Sequence, residues 1–157
     1  MIVIIILALA LVTLYFTGRK SVHHEIVIDA SPDKVWAILI DAKGYKSWNP
    51  VMELVSGEVK EGNKVTYRFT QDKENISTIP ARVKKVIPQQ LLNQAGGVPF
   101  ILTFDHRYTL NAIEGGTKVI IHEDYAGVGV NFWNPKPVEV AYARLNQALK
   151  KKVESYR

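Results

Sequence analysis

The rhythm of apolar and polar positions changes repeatedly along this chain, and each change marks an element. The opening MIVIIILALALVTLYFT carries no charged side chain and no alternation. From Ser21 the period becomes two. Val22, Ile26 and Ile28 share one face of SVHHEIVI, which predicts a strand. Helical spacing follows at Val35, Trp36, Leu39 and Ile40. Ser31 stands at the N-cap of that helix, with Pro32 at its first position and Asp33 in its first turn. Asp41 then predicts a second short helix, which Gly44 weakens and Pro50 ends.

Beyond Pro50 the pattern is that of strands: VMELVSGEV, KVTYRFTQ, STIPARVKKVIP, QLLNQAGG, FILTFDHRYTLNAI and TKVIIHEDYAGV. In the second of these Val65, Tyr67 and Phe69 share a face. Pro80 predicts an edge or a bulge in the third. The last two are joined through Glu114-Gly115-Gly116, a hairpin signal. A two-residue Gly115-Gly116 loop pairs Leu110 with Ile121, Tyr108 with Glu123 and His106 with Tyr125, and it matches the apolar faces. The chain closes on a helix that Asn134 caps and Pro135 opens. Val138, Ala141, Tyr142, Leu145, Leu149 and Val153 form its apolar stripe. The order is strand, two short helices, about six antiparallel strands and a long helix. It predicts an α+β fold in which a curved antiparallel sheet wraps the C-terminal helix and leaves a gap between them.

The segment SPDKVWAILIDAKGYKSWNP, Ser31–Pro50, set between the first strand and the later strands, resembles the START-like SRPBCC superfamily and within it the polyketide cyclase/dehydrase group. Ser31, Pro32, Val35, Trp36, Tyr45, Trp48 and Pro50 carry the likeness, which spans about Val22 to Tyr156. The resemblance implies a helix-grip fold with a deep cavity between sheet and last helix. It also implies apolar ligands such as lipids, sterols, polyketides or hormones, with enzymatic activity in a few members.

Composition adjusts this picture in two places. The 157 residues fit one domain with its own core, at 47% hydrophobic and 22% charged. The absence of cysteine excludes disulfides, a thiol nucleophile and thiolate metal sites. The net charge of +5 is dispersed, and Lys150–Lys152 reads as a solvated helix face, so no nucleic-acid partner is expected. The uncharged run Met1–Thr17 predicts a transmembrane anchor over residues 1–18, with Tyr15 and Phe16 at an interface. It has neither the basic start nor the small-residue end of a signal peptide. Arg19 and Lys20 then predict a single-pass membrane protein with the domain in the cytoplasm. Residues 19–21 are read as a short linker and 22–157 as the folded domain.

Catalytic and cofactor signatures fail on inspection. HEDYA has Ala126 where a zinc-protease motif needs its second His, and GVGVNF has Phe132 in place of a dinucleotide-loop Gly. His23 and His24 are strand neighbours on opposite faces and do not chelate together. No metal, cofactor or catalytic residue is assigned. The informative signal is polar residues on an apolar face. Phe104, His106 and Tyr108 on one strand and Ile121, Glu123 and Tyr125 on the next point to the concave side, whereas Asp105, Arg107 and His122 point outward. With Tyr67, Phe69, Tyr142 and Trp48 they make a candidate ligand-binding set: an apolar pocket with a polar anchor. The preferred reading is a membrane-anchored domain that binds a hydrophobic small molecule or lipid. The rivals are a cyclase- or hydrolase-like enzyme using His106, Tyr108 and Glu123, and a protein-interaction or chaperone-assisting domain with a collapsed cavity.

Overall fold

A computed structural model describes residues 1–156. An N-terminal helix, α1 (Ile2–Thr17), leads into β1 (Arg19–Ile28), α2 (Pro32–Ile40) and a 3-10 turn at Ala42–Ser47. Six strands follow: β2 (Met52–Gly57), β3 (Lys64–Thr70), β4 (Ile76–Ile87), β5 (Leu91–Val98), β6 (Leu102–Ile113) and β7 (Gly116–Ala126). A second 3-10 turn at Val128–Phe132 precedes α3 (Lys136–Glu154). The strands form one antiparallel sheet in the order β1-β7-β6-β5-β4-β3-β2. This is the expected α+β arrangement of a sheet grasping a C-terminal helix.

The core lies between the sheet and α3. All six stripe residues of α3 are buried, and Leu145, Leu149 and Ala141 are fully so. They meet the inward faces of β3, β4, β6 and β7, among them Val65, Val83, Leu110, Val119 and Ile121. Side-chain alternation along the strands is thus the cause of the single core. Pro80 stands in β4, which is not an edge strand. It lies just past the last β4–β5 pair, Ala81 with Gly96, where its missing N–H costs no ladder bond.

The linking segment behaves as its residues dictate. Ser31 occupies the N-cap of α2 and Pro32 its first turn, but the Ser31 side chain makes no capping hydrogen bond. Asp41 accepts from the Gly44 N–H and so caps the 3-10 turn. Asn49 Oδ1 accepts from the Val51 and Met52 amides, each at 2.9 Å, and thereby turns the chain from Trp48 into β2. Asn134 Oδ1 accepts from the Lys136 N–H at the start of α3.

Two expectations are corrected here. The first concerns the N-terminus. α1 has 16 residues, a length of about 24 Å against a hydrocarbon core of roughly 30 Å. No helix among the described residues is long and apolar enough to cross a membrane. The transmembrane anchor and the single-pass membrane localisation are overturned, and the cytoplasmic placement that hung on them goes with them. The expected linker, residues 19–21, is already the start of β1. Asn131 fastens the end of α1 to the domain, donating to the Leu14 carbonyl at 2.7 Å and accepting from the Thr17 hydroxyl at 3.1 Å.

The second correction is the β6–β7 register. Ile113 pairs with Gly116, so Glu114 and Gly115 form the loop. Tyr108 therefore faces Ile121, His106 faces Glu123 and Phe104 faces Tyr125. Gly115 takes the left-handed φ of +80° that the loop requires. Gly116 is required in β7 itself, because a Cβ there would lie 2.2 Å from the Ile28 carbonyl oxygen.

Candidate functional site

The new register brings the polar residues of the concave face into direct contact. His106 on β6 and Glu123 on β7 sit opposite each other, and His106 Nδ1 lies 2.6 Å from Glu123 Oε2. Tyr142 comes down from α3 and donates its phenolic hydrogen to the same oxygen. All three side chains are buried. A carboxylate oxygen only accepts, so His106 Nδ1 carries the hydrogen of its bond. Burial without such partners would be costly for a carboxylate, and two donors compensate it.

Aromatic rings enclose the cluster. Tyr108 stacks edge-on against His106 with ring centres 4.7 Å apart, and Tyr142 does so at 5.2 Å. Tyr125 packs on Trp133 at 4.5 Å. Burial first, and then the Glu123 charge, push the Tyr142 and Tyr125 phenols well above their ordinary range. Tyr108 is raised too, by burial and then by Tyr67 and Glu123. Tyr67 is pushed up to about 12 by burial, which the hydrogen bond from Gln94 partly offsets. The phenols are therefore held neutral, and Tyr142 donates to the carboxylate.

Two spaces adjoin this cluster. The larger, about 410 Å³, opens between α3, the β3–β4 end of the sheet and the Gly97–Leu102 turn. Phe69, Ile79, Val98, Ile101, Leu102, Phe104, Trp133 and Val138 supply its apolar walls, while Glu123, Tyr125 and Tyr142 bring polar atoms to it. The smaller, about 30 Å³, lies deeper among Met52, Tyr67, Gln94, His106, Glu123 and Tyr142. Both volumes share Phe69, Ile79, Phe104, Glu123 and Tyr142 as walls, so the void adjoins the cleft. A volume of about 300–1,000 Å³ is ordinary for a small-molecule site, and a few convergent polar groups in apolar walls are its usual design.

Seven of the ten candidate residues from the sequence line one or both spaces: Tyr67, Phe69, Phe104, His106, Glu123, Tyr125 and Tyr142. The other three do not. Tyr108 is fully buried behind His106, with its hydroxyl against Met52 Sδ at 3.9 Å. Ile121 is wholly buried on β7 opposite Tyr108. Trp48 packs edge-on against Tyr45 at 5.2 Å, where it covers the core. Asp105, Arg107 and His122 face outward as expected, and Arg107 pairs with Asp105 and Asp124.

Sequence reasoning passed over Gln94, which is buried on β5 and donates to the Tyr67 hydroxyl at 2.8 Å. Its signal was present: Leu92, Gln94 and Gly96 alternate inward, so a polar side chain falls on a core-facing position. Ile79 is also a wall, and it alternates inward with Ala81 and Val83 along β4, whereas Val98, Ile101 and Trp133 lie at a strand end and in turns that give no periodic sign. No group of three or more metal-ligating side chains occurs among the described residues.

Comparison with known proteins agrees with this geometry. The family model described as polyketide cyclase / dehydrase and lipid transport matches residues 19–154. No curated protein matches the chain. Among solved structures, the Zhui aromatase/cyclase from Streptomyces sp. R1128 superposes with a TM-score of 0.68 at 18% identity, covering 87% of this chain and 94% of that one. Protein CV1439 from Chromobacterium violaceum gives 0.70 at 14% identity, covering 85% and 97%. The di-domain ARO/CYC BexL of the BE-7585A biosynthetic pathway gives 0.72 at 12% identity, covering 87% of this chain and 50% of that one. At these identities the likeness is one of fold.

Proposed function

The chain belongs to the polyketide cyclase/dehydrase and lipid transport family, and from that premise we propose that it binds a hydrophobic small molecule or lipid in the cleft between the sheet and α3. One observation carries the reading: an apolar cleft of about 410 Å³ that ends on the Glu123 carboxylate and the Tyr142 hydroxyl. Apolar walls supply most of the affinity, at roughly 25 cal/mol per Å² of apolar surface removed from water. The buried polar atoms fix orientation. An open cleft of this size speaks against the alternative of an interaction domain with a collapsed cavity.

The enzyme reading has one observation in its favour and one against. In its favour, His106 Nε2 is buried with no partner, as a proton-transfer group would be before substrate arrives. Against it, Tyr108 touches neither space, so the proposed three-residue machinery is not assembled around one ligand position. Binding without chemistry is the simpler use of the site.

Titration with N-phenyl-1-naphthylamine, an uncharged fluorophore that brightens on leaving water, tests the proposal. Saturable binding with one site per chain is expected. Native mass spectrometry of the freshly purified protein is expected to show a co-purified apolar molecule. Absence of saturable fluorescence together with a ligand-free mass would overturn the reading.

A further inference from the structure

The innermost void has a hydrogen-bonding character of its own, and it selects a functional group. Two of its polar groups are set by their neighbours, and Glu123 fixes the first. Its Oε2 takes the hydrogen on His106 Nδ1 at 2.6 Å. In the neutral imidazole, Nε2 is then a bare acceptor. That nitrogen is buried and has no partner. Unpaired buried polar atoms are uncommon and ask for an explanation, an unseen water or a ligand atom being the usual ones. Gln94 fixes the second. Its amide donates to the Tyr67 oxygen at 2.8 Å, which leaves the Tyr67 hydrogen free to point elsewhere. His106 and Tyr67 both wall the same space of about 30 Å³. That space is about the share of volume of one water molecule, or of one hydroxyl on a larger molecule.

Resting on the cavity-binding reading above, we propose that the void is a hydroxyl subsite: an apolar alcohol or phenol lies in the cleft and sends its OH inward. The ligand OH donates to His106 Nε2 and accepts from the Tyr67 OH. A hydroxyl does both with one oxygen. An ether or carbonyl oxygen lacks the donor that Nε2 requires. A carboxylate lacks it too, and it would also face the charge of Glu123. The buried acceptor left unpaired by such analogues is what rejects them, in the way a site built for an OH discriminates against its absence. Water fills the void when no ligand is present, and the ligand hydroxyl reproduces its bonds on displacing it. His106 is thereby a specificity-determining residue, with Glu123 positioning it through Nδ1.

The test is a matched set of probes at one pH above neutrality: 2-naphthol, 2-methoxynaphthalene and naphthalene, each displacing N-phenyl-1-naphthylamine. The expected result is a preference for 2-naphthol over both others of about tenfold. The His106 Nε2 nitrogen resonance is expected to move on adding 2-naphthol and to stay put on adding naphthalene. His106→Leu should abolish the preference while naphthalene still binds. Tyr67→Phe, which leaves the imidazole and its carboxylate intact, should reduce the preference without removing it. Equal binding of all three probes to the unaltered protein overturns the hydroxyl subsite and leaves cavity binding standing. A preference for 2-methoxynaphthalene over 2-naphthol overturns the assignment of Nε2 as acceptor. If none of the three displaces the fluorophore, the subsite falls, and if the fluorophore itself does not bind, the cavity reading falls with it.

Discussion

Tyr142 of α3 and Glu123 of β7 are joined by a hydrogen bond from the phenol to the carboxylate, a polar tie between the helix and the sheet that grips it, set beside those of Asn146 to His24 and Lys150 to the Val27 carbonyl on β1. Apart from Tyr142 and the buried Asn146, the buried face of α3 from Val138 to Val153 is held by apolar packing. Packing of that kind sets a distance but tolerates sliding. The bond to Glu123, which also holds His106, fixes the helix where it borders the cleft.

Removing the phenolic hydroxyl therefore tests both stability and position. Tyr142→Phe keeps the ring contacts with His106 and Phe69 and deletes one donor to a charged acceptor. A loss of about 1.5–3 kcal/mol in urea unfolding is expected. Glu123→Ala, which strips two buried groups of their shared acceptor, should cost more than Tyr142→Phe. Equal effects would mean that the tyrosine and the histidine do not share the carboxylate.

The β6–β7 loop gives a second prediction, because its two glycines are constrained differently. Gly115 has φ of +80° and open space around it, so Gly115→Ala pays only for backbone conformation, about 1 kcal/mol. Gly116 has the Ile28 carbonyl oxygen where a Cβ would go, 2.2 Å away. Gly116→Ala must push β1 from β7 and should destabilise more. Thermal unfolding of the two variants side by side decides the order. A larger loss at Gly115 would restore the Gly115-Gly116 loop.

That hairpin also marks the boundary of what the sequence made legible. Period-two alternation specifies which side chains share a face, and a register slip of two residues leaves every face unchanged. The inward set Phe104, His106, Tyr108, Ile121, Glu123 and Tyr125 was therefore readable, while the partner of His106 was not. Register depended on Gly116, and its reason for being glycine is a carbonyl on β1, some ninety residues away in the chain. The cleft was half legible for the same cause. Its strand walls repeat, whereas Val98 ends β5 and Ile101 and Trp133 come from turns with no period. The place of Trp48 was left open between core and cavity, because an aromatic residue at the end of a short helix has the same local pattern whether it covers a core or lines a mouth. α1 was legible as a helix, and its length of 16 residues is what removed the membrane-spanning role assigned to it.

The buried phenols lead to a prediction in alkali. Unfolded tyrosine ionises near 10, while Tyr67 in the fold is pushed up to about 12, and Tyr45, Tyr108, Tyr125 and Tyr142 shift the same way, burial being the first cause for each. In that window the unfolded chain binds fewer protons than the folded one, so stability falls as pH rises. The contribution is fully present below pH 10 and is lost on the way to the folded values. Phenolate absorbance of the native protein should lag behind that of the urea-unfolded protein, and urea midpoints should drop steadily above pH 10. Coincident titration curves would show that the phenols are not shielded.

Asn131 gives a fourth prediction, on the attachment of α1. Its amide holds the Leu14 carbonyl and its oxygen receives the Thr17 hydroxyl, while the Gly127 N–H donates to the Gly18 carbonyl at 3.0 Å. Asn131→Ala removes the first two contacts. Amide exchange over Leu14–Gly18 should accelerate, and trypsin should cut faster after Arg19. Unchanged rates would mean that the Gly18–Gly127 bond suffices to hold the helix end.

The last prediction places a plug in the cleft. Val138 is buried in the first turn of α3 and lines the larger space, one helical turn before Tyr142 on the same face. Val138→Trp should fill the mouth with an indole and exclude ligand. Ala141 on the same stripe is a poor site for the purpose, since it is fully buried and lines neither space, so a large residue there would overpack the core. Over-filling typically costs about 1–3 kcal/mol, which a domain with roughly 5–15 kcal/mol in hand survives. Gln147→Trp, on the exposed face of α3, is the control for adding an indole without filling the cleft. The expected outcome is loss of N-phenyl-1-naphthylamine binding by Val138→Trp at native helical content, with Gln147→Trp binding as the unaltered protein does. Because the proposed hydroxyl subsite is reached by a ligand lying in the cleft, 2-naphthol should fail on that variant too. Normal binding of both probes by a folded Val138→Trp protein would put the ligand somewhere other than between the sheet and α3.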